Sequence, residues 1–220
     1  MMQVWYELLF AHWPVSRETL RSLIPTPLEI DAYQGQAWLA VTPFHMDLRF
    51  RWMPLPTHHF PELNCRTYVT FEGKPGVFFF SLDAASRLAV RGARAAYKLP
   101  YSYSRMRVET QRERVIYSAE RPDSNARFAA TYGPDSEVRR SQPGTLENWL
   151  TERYCLYAHS RGRLYRGEIH HVPWPLQDGA WEIRENGIAA TAGIELPDTA
   201  PLLHFSRRLE VLIWPLRRAH

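Results

Sequence analysis

Lysine is almost missing from this chain. Of 220 residues, 27 are basic, yet only Lys74 and Lys98 are lysines and every other one is arginine. Chemistry that needs a nucleophilic amine therefore has two side chains to draw on, because a guanidinium is too firmly protonated to serve. Cysteine is equally scarce. Cys65 and Cys155 are the only two; they build no disulfide framework, and neither belongs to a Cys-x-x-Cys zinc pair. Glycine, at 11, is outnumbered by proline, at 17, which argues for many short elements and stiff turns rather than long helices. No apolar run approaches the roughly 18 residues of a membrane helix. The opening MMQVWYELLF has no basic flank and carries Glu7 early, so it does not read as a signal peptide. A soluble, cytoplasmic protein with no membrane partner is the expectation. Phosphate-cradling, dinucleotide and serine-elbow glycine motifs are absent, as is His-Glu-x-x-His. Charge of one sign is not concentrated either. The net charge is +4, and the densest basic stretch, Arg105, Arg107, Arg112 and Arg114, is interleaved with Glu109 and Glu113. That pattern reads as a solvated hairpin, not as a nucleic-acid footprint.

What the chain does have is rings. Aromatic residues make up 13%, eight of them Trp, within a hydrophobic content of 45%, a composition that suits sheets and pocket walls. The pattern predicts a short helix from Ser16 to Ile24, capped by Ser16 and stopped by Pro25 and Pro27. A strand from Ala37 to His45 precedes a proline-rich stretch, Arg49 to Pro61, expected to be a long stiff loop. Cys65 to Glu72 and Val77 to Leu82 flank Gly73-Lys74-Pro75-Gly76 as a hairpin. Val77-Phe78-Phe79-Phe80 is apolar on both faces and should be a central strand. Further on come a helix over Ala84 to Lys98, a meander of three strands between Tyr103 and Tyr132, and a short helix capped by Thr145. A hairpin about Ser160-Arg161-Gly162 follows, then strands at Ile188 to Glu195 and Phe205 to Trp214. About ten strands and three helices make an α+β fold. Its sheet is predominantly antiparallel and curled into a barrel or cone with a few outer helices, in one domain over 1–220.

Strand alternation places Asn64, Arg66 and Tyr68 on one face, joined by Glu62 if the strand starts early enough. A carboxyl, an amide, a guanidinium and a phenol together suit either a Glu62–Arg66 lock within the sheet or a polar floor for a carbonyl or carboxylate ligand. Ser81-Leu82-Asp83 ends the aromatic strand. Asp83 reads first as a helix cap, with a second pocket acid as the alternative. Glu152 and Arg153 follow the Thr145 helix and should point to different sides, one of them within reach of Glu62 or Arg66. His170 and His171 are adjacent and face opposite ways on a strand, so no metal site is expected. Trp5, Trp13 and Trp174 would form an exposed apolar surface for self-association.

The strings LLFAHWPV, LIPTPLEID, AWLAVTPFHM, FPELNCRTYV, GKPGVFFFSLDA, ARAAYKLPY, GTLENWLTERYCLY, IHHVPWPL and PLLHFS run in order along nearly the whole chain. They resemble the YqjF-like family, a domain of unknown function (DUF2071). The wider resemblance is to acetoacetate decarboxylase, which implies a curled antiparallel sheet around an apolar pocket and a lysine that forms a Schiff base with a β-keto acid. On that resemblance Glu62 stands where the enzyme has an active-site glutamate, and Ala93-Arg94 where it has Gly-Arg. Pro100 matches a proline, but the two lysines that should follow are Tyr101 and Ser102, and the N-terminal pocket arginine is Tyr6. The polar face and the resemblance together point to catalytic roles for Glu62, Arg66 and Tyr101, with ligand contacts from Tyr6, Tyr68, Ser81, Arg94 and Ser102. No cofactor or metal is expected. The expected partners are a small-molecule ligand, an organic acid in kind, and further copies of the chain. The reading is a binding protein or a lyase-type enzyme without a Schiff base. Two alternatives stand beside it: a noncatalytic oligomeric protein, and a decarboxylase whose lysine is displaced to Lys98 or Lys74.

Overall fold

A computed structural model describes residues 1–49 and 57–220. In chain order the elements are β1 (Met2–Val15), α1 (Arg17–Leu23), β2 (Glu29–Ile30), β3 (Ala37–Arg49), β4 (His58–Phe71), β5 (Lys74–Ala84), α2 (Arg87–Tyr97), β6 (Tyr101–Tyr103), β7 (Arg105–Gln111), β8 (Arg114–Glu120) and β9 (Arg127–Pro134). Then follow α3 (Leu146–Thr151), β10 (Cys155–Ser160), β11 (Arg163–His170), β12 (Gln177–Asn186), a 3₁₀ turn (Ala189–Ala192), β13 (Leu202–Ile213) and β14 (Arg217–Arg218). The strands form one sheet in the order β14-β11-β10-β5-β4-β3-β1-β13-β12-β9-β8-β7, with β2 beside β4 and β6 beside β5. Two pairings, β5–β10 and β5–β6, are parallel. A further pairing of β11 with β13, Ile169 opposite Ile213, curls the first part of the sheet back onto itself.

The elements arise where turn and cap chemistry permit. β4 and β5 are joined through Glu72 and Gly73, whose φ values of 52° and 73° are both left-handed, as a two-residue hairpin turn requires. Lys74, Pro75 and Gly76, expected in the turn, belong to β5 instead. Gly76 is needed there because a Cβ would lie 2.8 Å from the Cys155 carbonyl of the neighbouring strand. Ser16, Ser86 and Thr145 cap the three helices, each accepting from the backbone N–H three residues on. Asp83 is not the cap of α2. It is fully buried and accepts two bonds from Arg121, at 2.8 and 2.6 Å, and one from Ser104 at 2.5 Å. Losing one partner of such a buried pair costs about 3–5 kcal/mol.

β4 and β5 lie inside the sheet, so both faces of β5 are covered. Phe78 and Phe80 pack into one core cluster, while Val77 and Phe79 belong to another. The first cluster fills the space between the outer face of β1, β3 and β4 and the layer made by β8, β9 and β12. Tyr117 and Tyr132 span it and donate to the carbonyls of Glu62 and Glu7, at 2.8 and 3.0 Å. Each ring buried in this way contributes roughly 2–3 kcal/mol.

Other sequence expectations change as well; Ala84, expected to open the helix, ends β5, and α2 begins at Arg87. The loop expected over Arg49 to Pro61 is in part strand, since β4 begins at His58; residues 50–56 lie outside the described residues. Ile188 to Glu195 is not a strand. Ile188 and Ile194 anchor a 3₁₀ turn of small residues that Gly193 closes at φ 74°. β12 occupies the sheet position instead. β1, which alternation did not reveal, is one of the longest strands. A left-handed Glu7 (φ 49°) accompanies a register shift between Tyr6 and Ala11, which breaks its period. Among the described residues, no helix is long and apolar enough to cross a membrane.

Candidate functional site

The concave side of the curl holds a cavity of about 670 Å³. Its walls follow from strand alternation. β4 contributes Phe60, Glu62, Asn64 and Arg66, and antiparallel β3 contributes Met46, Phe44 and Thr42 opposite the first three. β1 adds Gln3 and Trp5 before the Glu7 irregularity, then Leu8 and Phe10 after it. β5 adds Val77, Phe79 and Leu82, switching parity where the register shifts and passes over Phe80. α2 and Tyr101 close one side, and Trp174, Ile169 and Ile213 another. Most of the lining is apolar.

Polar groups are few and ordered along β4. Glu62 is 3% exposed, and its Oε2 accepts a bond from the Tyr101 hydroxyl at 2.8 Å. Burial is the main force on this carboxyl. It raises the pKa from 4.5 to about 7, held back by the bonds from Tyr101 and Asn64 and assisted by the charge of Asp83. Tyr101 is driven well above the ordinary phenol by burial and then by Glu62, so it remains a donor. Thr42 donates to the Asn64 side-chain oxygen, which leaves the amide N–H₂ of Asn64 for Glu62.

Arg66 lies four residues further along β4. It is 9% exposed, and its Nε has no acceptor among the described residues. Its guanidinium carbon sits 5.4 Å from the Phe10 ring centre. Burial, together with the neighbouring Arg153, lowers its affinity for a proton, while Tyr68 acts in the opposite sense. Arg153 lines the same end. Its Nε donates to the Trp149 carbonyl at 2.7 Å and its Nη1 to Asp31 at 2.6 Å, but its Nη2 is buried without a partner. Two guanidinium groups therefore converge on one apolar chamber, with one carboxylate, Asp31, paired to Arg153.

The structure brings together Glu62, Arg66 and Tyr101 on this wall, and Glu62 and Arg66 form no ion pair. Tyr68 shares their face but lies beneath the chamber, fully buried, donating to the Leu150 carbonyl at 3.0 Å. The remaining four residues do not line the cavity. Tyr6 follows cavity-lining Trp5 and faces the other way by plain alternation, donating to Asp47 at 3.1 Å. Ser81 falls on the other face of β5 because of the shift at Phe80. The Arg94 side chain is on the exposed side of α2 and donates to the Tyr101 carbonyl at 2.6 Å. Ser102 neighbours Asp83 along β6 and points opposite to Tyr101. The sequence reading did not place His171 or Thr151 at the site, yet both line it. His171 is held by a contact of 2.8 Å between its Nδ1 and the Val172 carbonyl, and its pKa is lowered by burial. His170 is exposed on the other side. Among the described residues, no three His, Cys, Asp or Glu side chains are grouped to hold a metal ion.

The two lysines are placed elsewhere. Lys74 pairs with Glu168 at 2.6 Å, and the Lys98 ammonium lies 5.0 Å from the Tyr165 ring centre. Neither lines the cavity. Trp13 and Trp174 are buried at 4% and 2% exposure, and Trp5 and Trp174 are cavity walls, so the expected exposed tryptophan surface does not exist.

The profile of DUF2071, described as "Uncharacterized conserved protein", matches residues 2–210. The chain belongs to the DUF2071 family. It is 48% identical over 222 residues to "Uncharacterized protein YqjF" of Bacillus subtilis (strain 168), covering 99% of this chain and 92% of that protein. The fold of this DUF2071 protein is similar to that of the enduracididine biosynthesis enzyme MppR complexed with pyruvate. The TM-score is 0.68 at 13% identity, with 99% of this chain and 89% of that chain covered. It is also similar to acetoacetate decarboxylase from Legionella pneumophila, with a TM-score of 0.61 at 14% identity over 99% of this chain and 88% of that one. These likenesses establish an acetoacetate decarboxylase-like fold for the DUF2071 chain.

Proposed function

We propose that the cavity binds a small organic acid that also carries a carbonyl or hydroxyl group. Arg66 takes the carboxylate, and Glu62 with Tyr101 takes the second oxygen. The observation that carries this reading is Arg66 itself, a buried guanidinium facing an apolar chamber with no carboxylate of its own. An uncompensated buried charge is expensive, at several kcal/mol. A ligand carboxylate would offset that cost through two parallel charge-assisted bonds. Arg153, on the same wall, reinforces the preference for an anion. The pyruvate bound by MppR, a protein of the same fold, agrees with an acid of this kind.

Chemistry at the site proceeds without an imine, since neither Lys74 nor Lys98 lines the chamber. Glu62, with a pKa of about 7, is poised to give or take a proton near neutral pH. Tyr101 keeps its proton and donates a hydrogen bond to Glu62 Oε2, which fixes the carboxyl so that protonated Glu62 can donate to an oxygen that gains charge. This favours binding coupled to proton transfer beside a carbonyl, a lyase-type step in which the carboxylate is held by Arg66.

The test uses Trp5 and Trp174, which report on the cavity by fluorescence. Wild-type protein titrated with 2-oxo acids should show saturable quenching. Arg66→Met should weaken binding at least tenfold and also raise the melting temperature of the free protein, because it removes an unpaired buried charge. Unchanged affinity in a folded Arg66→Met variant would refute the reading.

A further inference from the structure

The size and lining of the cavity carry the reading of this site further. Pyruvate has six heavy atoms and acetoacetate seven. At about 30 Å³ for each water-sized atom, such acids fill on the order of 200 Å³. The chamber is about 670 Å³, a volume typical of sites for much larger ligands. The surplus is on the apolar side. The polar stations, Arg66 and then Glu62 with Tyr101, follow one another along β4. Beyond them, Phe60 and Met46 continue the wall in register toward His58 and Leu48, which also line it.

α2 faces this outer part with Ala89, Gly92, Ala93 and Ala96. A helix that merely sealed the core would bring large aliphatic side chains. This one buries Val90 and brings Tyr97 to the lining at its end, with Leu88 at the rim at 79% exposure, but between them the side toward the cavity is short and leaves space open. Small residues on a helix decide nothing alone. Here they face a chamber whose inner end carries a guanidinium that is nine-tenths buried, with an Nε lacking any acceptor among the described residues.

We infer that the ligand is an amphipathic monocarboxylic acid of medium length. Its carboxylate lies against Arg66 and Arg153, its oxo or hydroxyl oxygen lies at Glu62 and Tyr101, and an apolar tail of several carbons runs beneath α2. The inference rests on the carboxylate reading above and adds the tail. Three- and four-carbon acids would leave most of the apolar wall uncovered. Each methylene buried against it strengthens binding by at most about fourfold.

Calorimetric titration of the full chain with 2-oxobutyrate, 2-oxohexanoate and 2-oxooctanoate tests this. The dissociation constant should fall two- to fourfold for each added methylene up to eight carbons. Ala93→Phe, which fills the space below α2, should cost 2-oxooctanoate at least tenfold while leaving 2-oxobutyrate within twofold. Ala96→Leu should do the same in weaker form should Ala93→Phe lower the melting temperature. A flat chain-length profile in a protein whose binding still depends on Arg66 overturns the tail and leaves the carboxylate reading intact. A steep profile that Arg66→Met does not weaken keeps the apolar site but removes the carboxylate reading on which this inference stands.

Discussion

Glu62 binds its proton more tightly in the folded chain than an ordinary carboxyl does, because burial disfavours its charged form more than two hydrogen bonds favour it. The folded pKa, about 7, exceeds the ordinary 4.5, so the native state holds the extra proton between these values. Stability contributed by Glu62 is therefore complete below about pH 4.5 and is lost as pH rises through 7. At about 1.4 kcal/mol per pKa unit, the loss is about 3–4 kcal/mol as an upper bound. Glu62→Gln cannot ionise. Its melting temperature relative to wild type should climb between pH 5 and pH 8, by some 6–10 °C at most for a chain of this size. Thermal melts across that range check this, and parallel curves for the two proteins would contradict it. At this scale the sequence showed a good deal. Simple alternation put Glu62, Asn64 and Arg66 on one face, and they line one wall. Ser81 faces away because the register irregularity at Phe80 inverts the pattern without any marker in composition, and Tyr6, which only the resemblance placed at the site, faces away as the strand neighbour of Trp5. The sequence leaves open which of Glu152 and Arg153 comes within reach of Glu62 or Arg66; that it is Arg153, beside Arg66, depends on contacts between residues far apart in the chain.

Among the elements, those announced by turn and cap residues were legible. Ser16 and Thr145 mark helix starts where the structure has them, and glycine-containing turns mark the β4–β5 and β10–β11 hairpins. β1 and β12 were not, because β1 is buried for most of its length and interrupted at Glu7, and β12 is mostly polar and partly exposed. Ile188 to Glu195 has branched residues at Ile188, Thr191 and Ile194, but the alanines between them and Gly193 at φ 74° let the chain turn instead of extend. The β4–β5 turn also offers a test of local strain. Glu72 adopts φ 52°, a conformation that costs an ordinary residue roughly 1–2 kcal/mol but suits asparagine. Glu72→Asn should stabilise the protein by about 0.5–1 kcal/mol, seen as a higher urea midpoint with an unchanged denaturant slope. An unaltered or lower midpoint would show that the turn is not the left-handed hairpin described.

At the scale of the molecule, two features separate this chain from a Schiff-base enzyme of the same fold. Its two lysines are engaged on other partners away from the chamber, and the strongest positive charges within the chamber belong to arginines. Cavity size could not be read from the sequence, since it depends on how β3, β4 and β5 curl beneath α2, and small residues on a helix look the same over a cavity as at a tight contact. The same curl joins the site to stability: Tyr117 fixes the Glu62 carbonyl from one side while Tyr101 bonds its carboxyl from the other. A crystal structure of the protein grown with 2-oxooctanoate interrogates all of this at once. The expected result is a carboxylate within hydrogen-bond distance of the Arg66 guanidinium, with the oxo group beside Glu62 and Tyr101 and the chain along α2. A ligand lying elsewhere, or an Arg66 that keeps away from the carboxylate at full occupancy, would contradict it.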